Sequence, residues 1–326
     1  MESSGLGQNA SFSYTEFIFL PFPGVTVYRQ ILIVPFFMIY VLIMVFCILI
    51  QYTIWKNRSL HAPMYILISL LLTMNIISTT TVIPDMLLSF FRQNVIPLSR
   101  CLTQMFFSYS SVMFKSVLFV LMAFDRFVAI CHPLRYYNII NRKSLLQLWT
   151  VGLARNCILV SVVVFLASRV QFCKSNHILN FVCEYVVLLN LACGDVSKAH
   201  LFGLMVRTGV TVSDVSIILV CYLRVLHTAL KIAGGSNRRK ALHTCGMHLL
   251  VALTVYFCGL LSSMLYKLEV SISPDFQNLS SCIYFFLPAV LNPIMYGLGV
   301  NEIKDCVVKS WKTFRRQTMW VSRVVK

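Results

Sequence analysis

Seven apolar stretches, each long enough to cross a bilayer, dominate this chain of 326 residues. They run over 31–54, 64–88, 102–124, 146–168, 201–223, 244–266 and 279–298. A helix rises about 1.5 Å per residue, so roughly 20 apolar residues carry it through the hydrocarbon core. No water satisfies the backbone there, and a stretch of this length crosses as a helix with its hydrogen bonds made internally. Composition agrees. The chain is 58% hydrophobic and 12% charged, with a mean hydropathy of +0.78, whereas soluble domains carry about 25% charged residues. The pattern predicts an all-α membrane protein. It is a seven-transmembrane helix bundle at 31–298, between an outer tail (1–30) and an inner segment (299–326) holding a short amphipathic helix.

A net charge of +17 raises nucleic acid as a partner. Position decides otherwise. With the N-terminus outside, 18 of the 28 Lys and Arg fall on inner segments and 7 on outer ones. That asymmetry obeys the positive-inside rule, places the C-terminus in the cytoplasm, and leaves no nucleic-acid footprint to explain. The polar first 15 residues and the short apolar run Phe17–Leu20 do not make a cleavable signal, so the first span serves as its own insertion signal. Asn9-Ala10-Ser11 is a glycosylation sequon on the outer tail. Asn57-Arg58-Ser59 has the same form on the inner side, and Asn278-Leu279-Ser280 sits at the mouth of a span. No internal repeat at a period of 20–50 residues is visible.

The longest connection, about 169–200, carries Cys173, Cys183 and Cys193, while Cys101 opens the third span on the same side. Four cysteines facing an oxidising compartment allow three pairings, and the residues alone do not choose among them. The other eight read as small apolar fillers in spans or on the inner side.

Several motifs stand at span boundaries. Met122-Ala123-Phe124-Asp125-Arg126-Phe127-Val128-Ala129-Ile130-Cys131 closes the third. Pro63-Met64-Tyr65 opens the second, Lys240-Ala241-Leu242-His243-Thr244-Cys245 opens the sixth with His248 a turn later, and Asn292-Pro293-Ile294-Met295-Tyr296 closes the seventh. From about Phe19 to Asp305 the chain resembles the vertebrate odorant receptors of the rhodopsin-like G-protein-coupled superfamily. The entry Phe22-Pro23-Gly24 resembles their fish-like, class I branch. The resemblance implies disulfides Cys101–Cys183 and Cys173–Cys193, which would fold the long loop into a lid over a ligand cavity.

By the same resemblance, Asp125 holds Arg126 at rest and the opened receptor offers Arg126 to a heterotrimeric G protein of the stimulatory type. Tyr222 and Tyr296 are the partners that swing inward. An Arg at this depth is inexpensive because it reaches the interface. Pro293 frees a backbone carbonyl that Asn292 beside it can satisfy. Glu302 to Lys312 reads as an amphipathic helix on the inner surface, with Ile303, Val307, Val308 and Trp311 on its apolar side. Cys306 is a candidate for palmitate.

Ionisable residues inside the membrane mark function by default. Where related receptors place an Asp, a Glu and a first-span Asn, able to hold sodium, this chain has Asn75, Lys115 and Cys47. No carboxylate remains to attract a cation, so Lys115 is expected to supply a tethered positive charge in place of an ion; the bland alternative is a neutral or snorkelling Lys. Arg155 and Asp214 are further mid-span charges that can pair across spans four and five.

Helical period and family position place a ligand site in the outer halves of spans three, five, six and seven. Met105, Ser108, Tyr109 and Val112 share a face of span three. Val206, Arg207 and Val210 face it from span five, Tyr256, Gly259, Leu260, Ser263 and Lys267 from span six, and Cys282 and Phe285 from span seven. Ser108 stands where amine receptors carry an Asp, and Phe286 where opsins carry the retinal-binding Lys, which argues against both ligands. Arg207 and Lys267 suit an acidic or strongly polar odorant through charge-assisted hydrogen bonds; the plainer reading of Lys267 is a rim charge facing Glu269 or Asp275. No catalytic constellation, cofactor motif or metal site stands out. The expected function is a plasma-membrane odorant receptor. A peptide or lipid receptor of the same superfamily is the nearest rival, and a transporter, which would show paired repeats and broken helices, is more remote.

Overall fold

The computed structural model describes residues 13–25, 28–231, 236–267 and 273–309. In chain order its helices are α1 (Ile33–Lys56), α2 (Pro63–Phe91), α3 (Leu98–Cys131), α4 (Tyr136–Ile139), α5 (Arg142–Ser168), α6 (Tyr185–Asn190), α7 (Ser197–Lys231), α8 (Ser236–Lys267) and α9 (Pro274–Gly299). Seven of them, from 24 to 35 residues long, form the bundle. Six meet the length and apolarity needed to cross a bilayer alone, and α3 does so together with 133–139, which leaves it at a bend of 114°. Each apolar stretch of the sequence lies within one long helix, apart from residues 31–32, which form a 3-10 turn ahead of α1.

Local chemistry fixes several starts. Pro63 and Pro274 take first-turn positions, where their missing N–H costs nothing. Asn141 caps α5 by accepting from the Ser144 N–H at 2.8 Å, and Asp195 Oδ1 accepts from Ser197 N at 2.9 Å ahead of α7. Those Ser197 hydrogen bonds favour the ionised form and hold the Asp195 carboxyl below its usual range.

The bundle turns apolar side chains both inward and outward. Ile43, Cys47, Leu67, Leu71, Leu118 and Tyr296 belong to one buried cluster, while Phe37, Val45 and Trp55 of α1 stand exposed. An outward apolar face is what acyl chains require of a membrane helix. Helix α3 occupies the centre, packed against α2, α5, α7 and α8, with α9 closing between α1 and α8.

One end carries a small sheet. Strand β1 (Glu16–Phe19) lies between β2 (Asn94–Pro97), antiparallel, and β3 (His177–Ile178), parallel. Alternation buries Phe17 and Phe19, and the Phe17 ring meets Phe172 edge-on at 5.3 Å. Within the segment 1–30, expected as the outer tail, Glu16–Phe19 is a strand whose partners lie in two distant connections. Nearby, Cys101 joins Cys183 and Cys173 joins Cys193, with Cα separations of 5.5 and 5.6 Å. After α9 a further helix covers 301–309. Ile303 is buried in the bundle core, Val307 and Cys306 pack against it, and Val308 is exposed. Trp311, Lys312 and the sequon at Asn9 lie outside the described residues.

Candidate functional site

At the cysteine-rich end the long loop is tied into the bundle mouth by backbone donors. Cys183 N donates to Gln104 Oε1 at 2.9 Å, and Tyr185 N to the Tyr109 hydroxyl at 2.8 Å. Gln104 in turn donates to Asp85 Oδ2 at 3.1 Å, and Asp85 is paired with Arg100. The Tyr185 ring lies against Gly203, where a Cβ would come within 2.5 Å of it; this approach needs glycine. Burial pushes the Tyr185 phenol above its usual range, so its hydroxyl stays a donor, to Ala199 O at 2.9 Å.

Beneath this lid the expected span-three residues come together. Met105 is buried in the cluster that holds Phe17, Cys101 and Cys183. Ser108 is buried with its Oγ lacking a partner among the described residues, and Tyr109 and Val112 are partly buried. Val206 and Val210 are half-buried on α7, and Arg207 is exposed. The buried Glu184 of the loop and Arg207 both act electrostatically on the hydroxyls of Tyr109 and Tyr284.

The expected residues of α8 and α9 fall in different surroundings. Leu260 is 51% exposed and points away from the interior; one helical step past Gly259, it falls on the outward side. Cys282 and Phe285 are buried in one cluster with Phe181 and Val82, Phe181 meeting Phe285 at 6.3 Å. Tyr284 is the α9 residue that meets α8, where a Cβ at Gly259 would lie 3.2 Å from its ring. The side chains of Ser263 and Lys267 lie outside those described, and the carboxylate of Asp275, one suggested neighbour of Lys267, accepts from Gly24 N at 3.1 Å.

Deeper in the bundle four helices meet in one polar network. Arg155 of α5 donates through both terminal nitrogens to Asp214 of α7, at 2.9 and 3.1 Å. Ser116 of α3 donates to Asp214 Oδ2 at 2.5 Å and shares a 2.6 Å hydrogen bond with the Tyr256 hydroxyl of α8. With Ser116 donating to the carboxylate, Tyr256 donates to Ser116. The pair Arg155–Asp214 raised from sequence therefore forms, and Tyr256 is wired to it. Sequence reasoning missed Ser116, although the face Met105–Ser108–Val112 reaches it one turn further on.

Lys115 is 5% exposed and donates to Ser78 Oγ at 2.9 Å, so it does not snorkel. Asn292 Nδ2 donates to Asn75 Oδ1 at 3.4 Å rather than serving a carbonyl freed by Pro293. α9 continues as helix through both Pro288 and Pro293. Asn75 Nδ2 and Asn292 Oδ1 find no partner among the described residues.

At the opposite end Asp125 is fully buried, its Oδ2 3.4 Å from Arg126 Nη2, while its Oδ1 accepts from the Tyr136 hydroxyl at 2.8 Å. Burial, and then the Asp125 carboxylate, push the Tyr136 phenol above its usual range and keep it protonated as the donor. Arg126 also contacts the Met64 sulfur of the Pro63-Met64-Tyr65 opening. Tyr222 and Tyr296 are both buried, and the Tyr296 ring lies 5.3 Å from His248. Arg126 Nε, both His248 nitrogens and the Tyr296 hydroxyl have no hydrogen-bond partner among the described residues.

Comparison with known proteins gives this arrangement a family. A family model described as olfactory receptor matches residues 36–313. Human olfactory receptor 52K1 is 30% identical over 304 residues, covering 93% of this chain and 96% of that protein. Human olfactory receptor 52B4 is 31% identical over 298 residues, covering 91% and 95%. The crystal structure of squid rhodopsin shares the fold with a TM-score of 0.72 at 12% identity, over 89% of this chain and 87% of that one. With the seven-helix bundle, the Asp125–Arg126 motif and the Asn292-Pro293 motif already in place, the chain belongs to the olfactory receptor family, a family of multi-pass membrane receptors and not of enzymes.

Proposed function

We propose that the chain is an odorant receptor that takes a small molecule beneath its disulfide-linked lid and activates a heterotrimeric G protein of the stimulatory, olfactory type through its opposite end. The orientation proposed is N-terminus and lid outside, Asp125–Arg126 and the C-terminus in the cytosol, as the excess of Lys and Arg on the latter side supports. The outer tail is 1–30, the membrane domain 31–298 and the inner segment 299–326.

One observation carries this reading. Tyr256 sits below the Ser108–Tyr109–Val112 face, and its hydroxyl is tied through Ser116 to the Arg155–Asp214 pair. A ligand touching Tyr256 thereby biases a contact shared by four helices, the differential interaction a population shift requires. Below it, the unfilled hydrogen-bonding capacity of Arg126, His248 and Tyr296 supports an end that completes its bonds in another arrangement or with a partner. The inserted lid supports a small ligand over a peptide.

The test is cyclic AMP accumulation in cells expressing the chain, across a panel of carboxylic acids, alcohols, aldehydes and amines. Arg126→Ala is expected to abolish the response with surface display intact. Tyr256→Phe loses one neutral hydrogen bond, worth a roughly two- to tenfold loss of potency. Silence of the unmodified, surface-displayed chain across the panel, or signalling untouched by both variants, defeats the proposal.

Acidic or strongly polar odorants are the proposed ligand class, with Arg207 as the anchor and Glu184 as its competitor. Arg207→Ala is expected to weaken carboxylic acids by about tenfold or more, and Glu184→Gln to strengthen them. Lys267→Ala leaving acids unaffected removes that residue from the site. The buried Lys115, hydrogen-bonded to Ser78 with no carboxylate beside it among the described ion pairs, acts as a tethered charge where relatives hold sodium. Ligand potency is therefore expected to be the same in sodium and in choline buffers; a sodium shift abolished by Lys115→Ala contradicts this.

A further inference from the structure

Outside the ligand site, a cleft of about 280 Å³ opens at the cysteine-rich end between β1, the approach to α1 and the end of α2. Arg29, Gln30, Arg92 and Gln93 line it, above the buried rings of Phe19 and Phe90. Among the described residues neither arginine joins an ion pair, although Arg100 nearby takes Asp85. Arg29 Nε is buried there without a hydrogen-bond partner. Two guanidinium groups and two amide side chains around one concavity form an oxyanion receptor, since the planar guanidinium fork matches phosphate and carboxylate geometry.

The flanking residues say which oxyanion. Tyr28, Ile31 and Phe91 are 63%, 67% and 70% exposed, and each adjoins a residue of the cleft along the chain. Large apolar and aromatic side chains standing out beside arginines at the end of membrane helices belong to the interface, where acyl chains give way to headgroups. The cleft therefore sits at headgroup depth with apolar surface beside it.

We propose that this cleft binds the phosphate of a phospholipid from the leaflet at the cysteine-rich end. Arg29 and Arg92 clasp the phosphate oxygens, Gln30 and Gln93 donate from the rim, and the acyl chains lie along Ile31 and Phe91. The lipid would brace β1 and the head of α1 against α2, a site separate from the odorant cavity. In the orientation proposed above this is the outer leaflet, but binding can be measured without knowing the side.

The test uses the full chain purified in detergent and native mass spectrometry with three probes: a phosphatidic acid, the diacylglycerol of identical chains, and inorganic phosphate. Retention of the phosphatidic acid over the diacylglycerol is expected, with a loss of at least about tenfold in the Arg29→Gln/Arg92→Gln variant. Arg29→Lys/Arg92→Lys, which keeps the charge but not the fork, is expected to fall between. Arg92→Gln alone, at an exposed position, gives a folded variant if the double does not. Equal retention of both lipids, or a phosphatidic acid held equally by the Gln variants, overturns the proposal. Inorganic phosphate bound in an arginine-dependent way while the lipid is not overturns the lipid as the source.

Discussion

Arg155→Ala is expected to lower the stability of the receptor by roughly 3–5 kcal/mol, the range found when one partner of a buried ion pair is removed. The variant leaves Asp214, whose side chain is 2% exposed, with its charge facing only the Ser116 hydroxyl. The reverse change costs less. Arg155 keeps 35% of its side-chain surface exposed, so Asp214→Ala leaves a guanidinium able to turn outward, and a loss of roughly 1–3 kcal/mol is expected. Replacing both, as Arg155→Met with Asp214→Leu, removes the buried charge altogether and is expected to recover most of what the first variant loses. Thermal unfolding of the purified receptor reads all three. Equal losses for the single variants that simply add in the double would mean the two groups do not act as a pair. The double variant also separates stability from signalling, because it cuts the Ser116–Tyr256 hydrogen bond off from the charged pair of α5 and α7 without leaving a charge behind.

Cys101→Ser is the second large effect. The bond to Cys183 closes a sequence separation of 82 residues, and on the chain-entropy account its loss costs about 4.5 kcal/mol. More than stability goes with it. Cys183 lies between Phe181, packed on Phe285 and Phe286, and Glu184 and Tyr185, the latter held to the Tyr109 hydroxyl of α3. Releasing it leaves the loop held to α3 only by hydrogen bonds and packing, so the odorant response is expected to vanish even where protein reaches the surface. Cys173→Ser breaks a bridge spanning 20 residues within the loop, a shorter closure, and is expected to reduce potency without abolishing it. Full potency and an unchanged melting temperature for Cys101→Ser would show that hydrogen bonds such as Cys183 N to Gln104 hold the lid alone.

The bundle was legible in the sequence because hydrophobicity, length and charge asymmetry are local quantities that survive averaging over 20 residues. The face Met105–Ser108–Tyr109–Val112 was legible because helical period is local too. Three kinds of feature were not. Strand β1 depends on partners about 75 and 160 residues away, and a four-residue apolar run carries no sign of them. Which side of α9 meets α8 was not legible, because α9 is apolar on most sides and period alone does not say that Tyr284 packs at Gly259 or that Leu260 stands exposed. Loop residues such as Glu184 come near Tyr109 and Tyr284 through an inserted segment, and nothing in their spacing announces it. Arg155 and Asp214 are the intermediate case. Their cost in hydrocarbon marks each as needing a partner, while only the fold shows the two side chains meeting, with Ser116 between them and Tyr256.

The small sheet has a consequence for how the receptor is made. β1 leaves the ribosome first, yet its parallel partner at His177 follows about 160 residues later, an interval of roughly 10–30 s at ordinary rates of translation. β2, made about 75 residues after β1, can cover one edge, but until His177 the other edge stays open beside two phenylalanines that are buried in the finished fold, the kind of surface on which nascent chains misassemble. Shelter for β1 during synthesis is therefore expected to count in delivery to the cell surface alongside the finished bundle's strength.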